Sequence, residues 1–371
     1  KNVDVSGSVV YRYNNYDNSE ASNTRTDNNN YKIGLNLSSK VNDYVKFNSR
    51  FIVGGDDSGF ASLNAKREVT DNGDGNANVS LSNAYFGFTA IPNTVVNVGK
   101  MGLATPYTVA TDINGNEQTG TGILALSTFG PVTAGAGYFN NQNFGELSDI
   151  NGTLKVKTNA DNSSVVTPTS VTIAQDRLAY VFDGGKDLYV ATVQGDLDFV
   201  KLEAWYLGMQ DTFNSYTLAA TSKIDLAENA NLGLEARYVQ LALDSEVEKY
   251  LGLVDDKNSM FRVAVDGKFS IVNARLAYTK TGKDGGLTAV DQDAKNTSLG
   301  WFITSNGVAD ANYYQAALGV DILDNLNFTA HYGNLKADGS KDTTMNTYFV
   351  GTDKELKQQE VYGQLTYKMS K

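Results

Sequence analysis

Two acids and a scatter of cations are the residues through which this chain would act. Asp112 and Glu117 lie in a stretch from Gly102 to Gly122 that also holds Thr105, Pro106, Tyr107 and Asn116, with glycines at 115, 120 and 122 that permit tight bends. Arg12, Lys32, Lys46, Arg50 and Lys100 stand in segments of alternating polarity before it. If the stretch folds into an aqueous passage, its acids face those wall cations and set up a transverse field that orders and filters charged solutes. The same residues also suit an ordinary solvated loop and wall charges that merely hydrate an interior. Sequence leaves both readings open.

Turnover has little to work with. A nucleophile needs a positioned base, and the one histidine, His331, stands in no recognisable partner motif. Phosphate-cradling glycine loops, zinc motifs and paired-carboxylate signatures are missing, and Asp71 to Asp74 lacks the calcium-loop spacing. With no cysteine, disulfides and thiolate metal sites are excluded.

The elements that would position these residues are strands. Composition points there: 35 Gly, 21 Tyr and 16 Phe against 4 Pro and 2 Trp in 371 residues. A formal net charge of -11 has the wrong sign for a phosphate-backbone binder, so nucleic acid is not an expected partner. No run of eighteen apolar residues exists to form a membrane-spanning helix, a test that a barrel of half-apolar strands escapes. Lys1 stands almost directly on a strand, as in a mature chain cut after export.

Strict alternation runs through the chain, and successive side chains of a strand face opposite sides. Val3, Val5, Val9, Tyr11 and Tyr13 oppose Asp4, Ser6, Ser8 and Arg12. Leu232, Leu234, Ala236 and Tyr238 oppose Glu235 and Arg237; Phe261, Val263, Val265 and Phe269 oppose Arg262, Asp266 and Lys268. Near the end, Val361, Leu365, Tyr367 and Met369 oppose Glu360, Gln364 and Lys368. A charged face on nearly every strand suits a water-filled lumen with lipid outside better than a sandwich core.

About sixteen such strands are legible, joined by short and long links in alternation, as in outer-membrane barrels. Short links include Lys40 to Asp43, Ile91 to Asn93, Phe129 to Pro131, Gly195 to Asp196 and Leu323 to Asn325. Long polar ones include Gly54 to Asn76, Asn140 to Lys186, Thr281 to Ser298 and Lys336 to Glu355. This rhythm places Tyr13, Tyr138, Tyr206, Tyr238, Tyr278 and Tyr332 at outer strand ends and Phe88 and Tyr367 at periplasmic ends, as interfacial girdles.

A family resemblance adds to this reading. Asp4-Val5-Ser6-Gly7 with Tyr11-Arg12-Tyr13, Val98-Gly99-Lys100 before the candidate loop, Gly120-Thr121-Gly122 after it, Leu243-Asp244-Ser245-Glu246 and the closing Leu365-Thr366-Tyr367-Lys368 appear in order along nearly the whole chain. Together they resemble the major outer membrane protein porins of Campylobacter and its relatives. The resemblance implies an eighteen-stranded trimeric barrel, moderate cation preference, an inward third loop and, in at least one relative, a calcium ion held by carboxylates near the constriction. Carried onto this chain, the calcium position falls around Asn116 and Glu117, with Glu146, Asp149 or Asp291 as outer partners. The family's strands end on a further hairpin and a terminal aromatic residue, whereas this chain ends Tyr367-Lys368-Met369-Ser370-Lys371, which suggests that a C-terminal hairpin is missing.

The expectation is one all-β, transmembrane antiparallel barrel spanning 1–371, set in the outer membrane of a Gram-negative bacterium with its loops at the cell surface. It would act as a homotrimeric general-diffusion porin for small hydrophilic solutes and ions, with lipid as its surroundings, no organic cofactor, and no catalysis. Two alternatives stand beside it: a substrate-specific channel, and a plugged surface adhesin or structural barrel.

Overall fold

The computed structural model describes residues 2–18, 24–62, 77–144, 157–158, 164–165, 184–245, 247, 256–338 and 355–369. Sixteen long strands run antiparallel in chain order: β1 (Val3–Asn18), β2 (Thr24–Lys40), β3 (Val45–Gly54), β5 (Asn78–Phe88), β6 (Thr94–Gly102), β7 (Thr119–Phe129), β8 (Val132–Gln142), β11 (Leu188–Asp196), β12 (Lys201–Met209), β13 (Phe213–Ala227), β14 (Ala230–Leu243), β15 (Lys257–Phe269), β16 (Val272–Thr281), β17 (Asn312–Leu323), β18 (Leu326–Asp338) and β19 (Glu355–Tyr367). The two-residue β4 (Ala61–Ser62) adds to the outer part of β2. A separate pair joins β9 (Lys157–Thr158) and β10 (Ser164–Val165).

Seven links at one end are short, spanning residues 41–44, 89–93, 130–131, 197–200, 228–229, 270–271 and 324–325. Left-handed conformations at Asn93, Gly130, Asp198 and Ser270, with φ of 58°, 57°, 62° and 54°, turn four of them, and Asn, Asp and Gly tolerate that region best. The link expected at Gly195 to Asp196 falls at 197–200, because the ladder with β12 continues through Asp196 opposite Lys201. The remaining links join the strands at the other end and most are longer, although 210–212 spans only three residues.

Alternation along each strand sorts the side chains. Val3, Val5, Val9 and Tyr11 face outward and exposed, as do Phe261, Val263, Val265 and Phe269. Tyrosines form the outer rim: Tyr138 against Tyr189 at 5.4 Å, Tyr216 against Tyr238 at 6.2 Å, and Tyr278 against Tyr314 at 4.9 Å between ring centres. Their hydroxyls reach polar groups, Tyr138 donating to Asp187 at 3.0 Å and Tyr278 to Asn312 at 2.8 Å. The rim beside the short turns carries phenylalanines instead, Phe47 and Phe86 lying 5.1 Å apart.

Strand β1 pairs with β2 and β19 pairs with β18, and the residue registers carry no pairing between β1 and β19. Among the described residues the sheet therefore wraps a lumen without a closing ladder between β1 and β19, and sixteen long strands are seen where the resemblance implied eighteen.

One expectation is corrected inside the lumen. The link expected at Thr281 to Ser298 runs over residues 282–311, and much of it is buried rather than solvated. It packs with the loop of residues 103–118 against the lumen face of β8 and β11 to β15 near their long-link ends, where Phe139, Leu188, Leu207, Met209, Phe213, Val239, Leu241 and Met260 join Leu103, Tyr107, Leu287 and Val290 in an apolar core. The hydrophobic effect thus works inside the barrel, between wall and loops, since the outer wall meets lipid. Each such side chain withdrawn from lumen water contributes about 1.5–3 kcal/mol.

Candidate pore constriction

Residues 103–118 cross the lumen from β6 and return to β7. Near its start the loop is stapled: Leu103 N donates to Gln118 O at 2.9 Å, Val109 N to Gln118 Oε1 at 2.9 Å, and Thr108 Oγ1 to Leu103 O at 2.5 Å. Tyr107 is fully buried, and its hydroxyl accepts from Thr217 Oγ1 at 2.7 Å. Burial pushes that phenol up to about 12.

At the far wall the tip meets the cations of β2 and β3. Arg50 Nε donates to Glu117 Oε1 at 2.6 Å, Lys32 Nζ lies 3.7 Å from the same oxygen, and the Thr111 hydroxyl donates to the other. Lys32 also donates to the Gly115 carbonyl at 2.5 Å, and Arg50 Nη1 to Asn36 at 3.0 Å. Glu117 is only 2% exposed, so it touches its cations rather than facing them across water. Gly115 takes φ +83°, and a Cβ there would stand 2.5 Å from the Phe60 ring. Arg12 reaches this tip through Phe60, its guanidinium 4.3 Å from the ring centre.

The remaining expected residues divide. Asp112 is buried in the tip turn, accepting from Asn116 N at 2.7 Å and Asn116 Nδ2 at 2.8 Å. Lys100 donates to the Leu81 carbonyl at 2.9 Å. Lys46 is exposed opposite Lys40, beside a short turn and four residues before Arg50. The structure therefore gathers Lys32, Arg50, Glu117 and, through Phe60, Arg12, and leaves Lys46 and Lys100 apart.

The second inward loop, residues 282–311, clasps the first. Val290 N donates to Tyr107 O and Asn296 N to Pro106 O, both at 2.9 Å; Gln118 donates to the Asp291 carboxylate; Ile113 N donates to Asp293 Oδ2 at 3.0 Å. Burial, then Asp293 and Asp112 nearby, hold the Asp291 carboxyl far above the usual carboxylate range. Arg262 ties this loop to the wall, donating to the carbonyls of Thr297 at 2.7 Å and Lys295 at 2.6 Å and to Glu235 at 2.6 Å. Arg237 donates to Asn296 Oδ1 at 3.1 Å.

The calcium expectation meets this geometry poorly. Glu117 is taken by Arg50, Lys32 and Thr111, and Asp291 by Gln118 and Asp293 N. Among the described residues no group of three acidic or histidine side chains converges to hold a metal ion. Glu146 and Asp149 lie outside the described residues. His331 stacks on Tyr362 at 4.4 Å and 7°, and its Nε2 has no hydrogen-bond partner among the described residues.

Sequence reasoning missed the second loop as a lumen element, along with Gln118, Asn296 and the loop-holding role of Arg262. A signal existed. In register, Arg237 lies directly opposite Arg262, a like-charge pair that calls for neutralising partners from elsewhere.

Over residues 1–371 the chain matches the family described as Campylobacter major outer membrane protein. Among solved structures it is similar to OccK8 (OprE) of Pseudomonas aeruginosa, at 16% identity over 98% of this chain and 89% of that one, with a TM-score of 0.69. It is similar to OccAB3 of Acinetobacter baumannii, at 14% identity over 99% and 89%, TM-score 0.69. Pseudomonas aeruginosa OpdK, in a structure with vanillate, is similar at 13% identity over 91% and 82%, TM-score 0.62. No curated protein matches it in sequence.

Proposed function

Because the chain belongs to the Campylobacter major outer membrane protein family, and is thus a multi-pass β-barrel porin of the outer membrane, we propose that it is a general-diffusion channel for small hydrophilic solutes and ions that prefers cations. The observation that carries the general-diffusion reading is charge pairing along the lumen wall. Arg275 lies 2.6 Å from Asp266, Arg262 lies 2.6 Å from Glu235, and Lys268 pairs with Asp321. Neutralised pairs leave no long row of one sign to bind one solute and hold it.

For cation preference the support lies at the constriction. Glu117 cancels part of the charge of Lys32 and Arg50, while Asp112 and Asp293 stand where the two loops meet, beside an Asp291 that keeps its proton. The eyelet is proposed to lie in the part of the lumen that the two clasped loops leave uncovered. Assembly as a homotrimer belongs to the same proposal, and the family resemblance supports it.

Planar-bilayer recording in a salt gradient tests all three. Openings in steps of three, a cation-directed reversal potential, and conductance that rises in proportion to bulk salt fit the proposal. Saturating conductance would favour a substrate-specific channel, and silence from folded protein a plugged barrel.

A further inference from the structure

The second inward loop carries one feature that neither packing nor the clasp employs. Its tip, Gly300-Trp301-Phe302-Ile303, is held firmly. The Glu360 carboxylate accepts the backbone N–H groups of Trp301 and Phe302 at 2.9 Å each and of Ile303 at 3.4 Å. Tyr313 Oη donates to Ile303 O at 3.2 Å, and Gly300 N donates to the same carbonyl at 2.8 Å. Ile303 alone supplies the tip's apolar anchor, packing with Val308, Tyr313 and Leu335. Trp301 and Phe302 point away from that cluster, 56% and 68% exposed.

Large aromatic side chains held in water on a fixed backbone forgo burial, and such patches mark binding surfaces. The rings are also arranged. Trp301 stands 6.2 Å from Phe302 at 69°, so the two form the sides of a notch, and Trp301 lies 5.5 Å from Tyr362. Tyr362 is backed by the stacked ring of His331, and Phe302 by Tyr16 of β1 at 6.3 Å. Tyr362 shares the lumen face of β19 with Glu360, opposite the outward Val361.

We propose that Trp301, Phe302 and Tyr362 form a stacking subsite on the lumen wall for solutes that present a flat, weakly hydrated ring face. Such a face gains from offset or edge contacts with π systems without needing a hydrogen-bond code, so the subsite slows ring-bearing solutes without excluding others. This deepens the porin reading, since it rests on an open lumen. Two sources share the chemistry, an aromatic ring and the CH face of a sugar.

The test uses the full chain folded in detergent micelles. Trp205 is the other of its two tryptophans, so Trp205→Phe leaves Trp301 as the single reporter. Acrylamide is expected to quench Trp301 readily. N-acetylphenylalaninamide or maltotriose, but not glycerol, should protect it saturably, and whichever protects identifies the source. In bilayers the same probe should block the unaltered protein's ion current over the same concentration range. Trp301→Ala should weaken that block about tenfold, measured against the variant's own open current. A Trp301 shielded from acrylamide would show the rings covered by protein or lipid and overturn the proposal. So would the absence of saturable protection and block by both probes. Either failure is distinct from failure of the porin reading, which a current without any probe establishes on its own.

Discussion

The two inward loops reach the same lumen and are held there by different forces. Residues 103–118 are fastened at their tip by charge, Glu117 lying between Arg50 and Lys32. Residues 282–311 are fastened mainly by hydrogen bonds to backbone, from Arg262 to the carbonyls of Lys295 and Thr297 and from three amides to Glu360. Moving one side chain undoes the first fastening, whereas the second is spread along the loop. The first loop is therefore the one whose tip sets the electrostatics of the passage, and the second is the frame against which it rests.

The largest effect is expected from breaking the frame. Arg262→Met removes a buried guanidinium, leaves two carbonyls without their donor and leaves Glu235 with only the longer 3.8 Å contact to Arg237, which should cost about 3–5 kcal/mol locally. Hydrogen exchange in residues 282–311 should accelerate accordingly while the strand ladders stay protected; unchanged exchange would remove Arg262 from the loop's support.

Next comes the charged latch. Glu117→Gln leaves Lys32 and Arg50 without their shared counter-ion, loosening the tip by about 2–3 kcal/mol and turning the reversal potential toward anions. Unchanged selectivity would place Glu117 outside the eyelet. A smaller loss follows from Gly115→Ala, about 1–2 kcal/mol, from the left-handed φ and the Phe60 ring beneath it. It should raise current noise without shifting selectivity, since no charge changes.

The smallest effect is a matter of sign. The folded Asp291 carboxyl is raised above its unfolded value, so the folded chain holds its proton where the unfolded chain has lost it. The stabilisation is fully present below the unfolded value and declines as pH rises toward the folded one. The clasp between loops should thus weaken from acid to alkaline pH. Asp291→Asn keeps an acceptor for Gln118 and should flatten that slope, gaining on the order of 1 kcal/mol at pH 8, readable as slower exchange of the Gln118 amide.

Much of this was legible residue by residue. Period-2 alternation identified the outward set of β1 and β15, and the turn chemistry at Asn93 and Gly130 agreed with it. Glu117, Lys32 and Arg50 stood among the seven charged residues named from sequence, without anything to separate them from Lys46 and Lys100. What failed was the assumption that every lumen-facing position is wet. Val239, Leu241 and Leu243 of β14 are buried on the inner face while Tyr238 faces lipid, so apolar residues on both faces of one strand end marked a covered wall. Polar composition hid the loop that covers it, because Thr288, Asn296, Thr297, Ser298 and Ser305 satisfy one another and the backbone inside the core.

By itself, then, the sequence determined the class of the molecule: strand number, inside and outside, long ends and short ends. These follow from local rules, the strand period and the turn residues, which act over a few positions. Which acid meets which cation, which long loop turns inward and which stays at the rim were decided by tertiary structure. Contacts such as Glu117 with Lys32, or Gln118 with Asp291, join residues 85 and 173 positions apart, and no local period constrains which side chain arrives at such a meeting point.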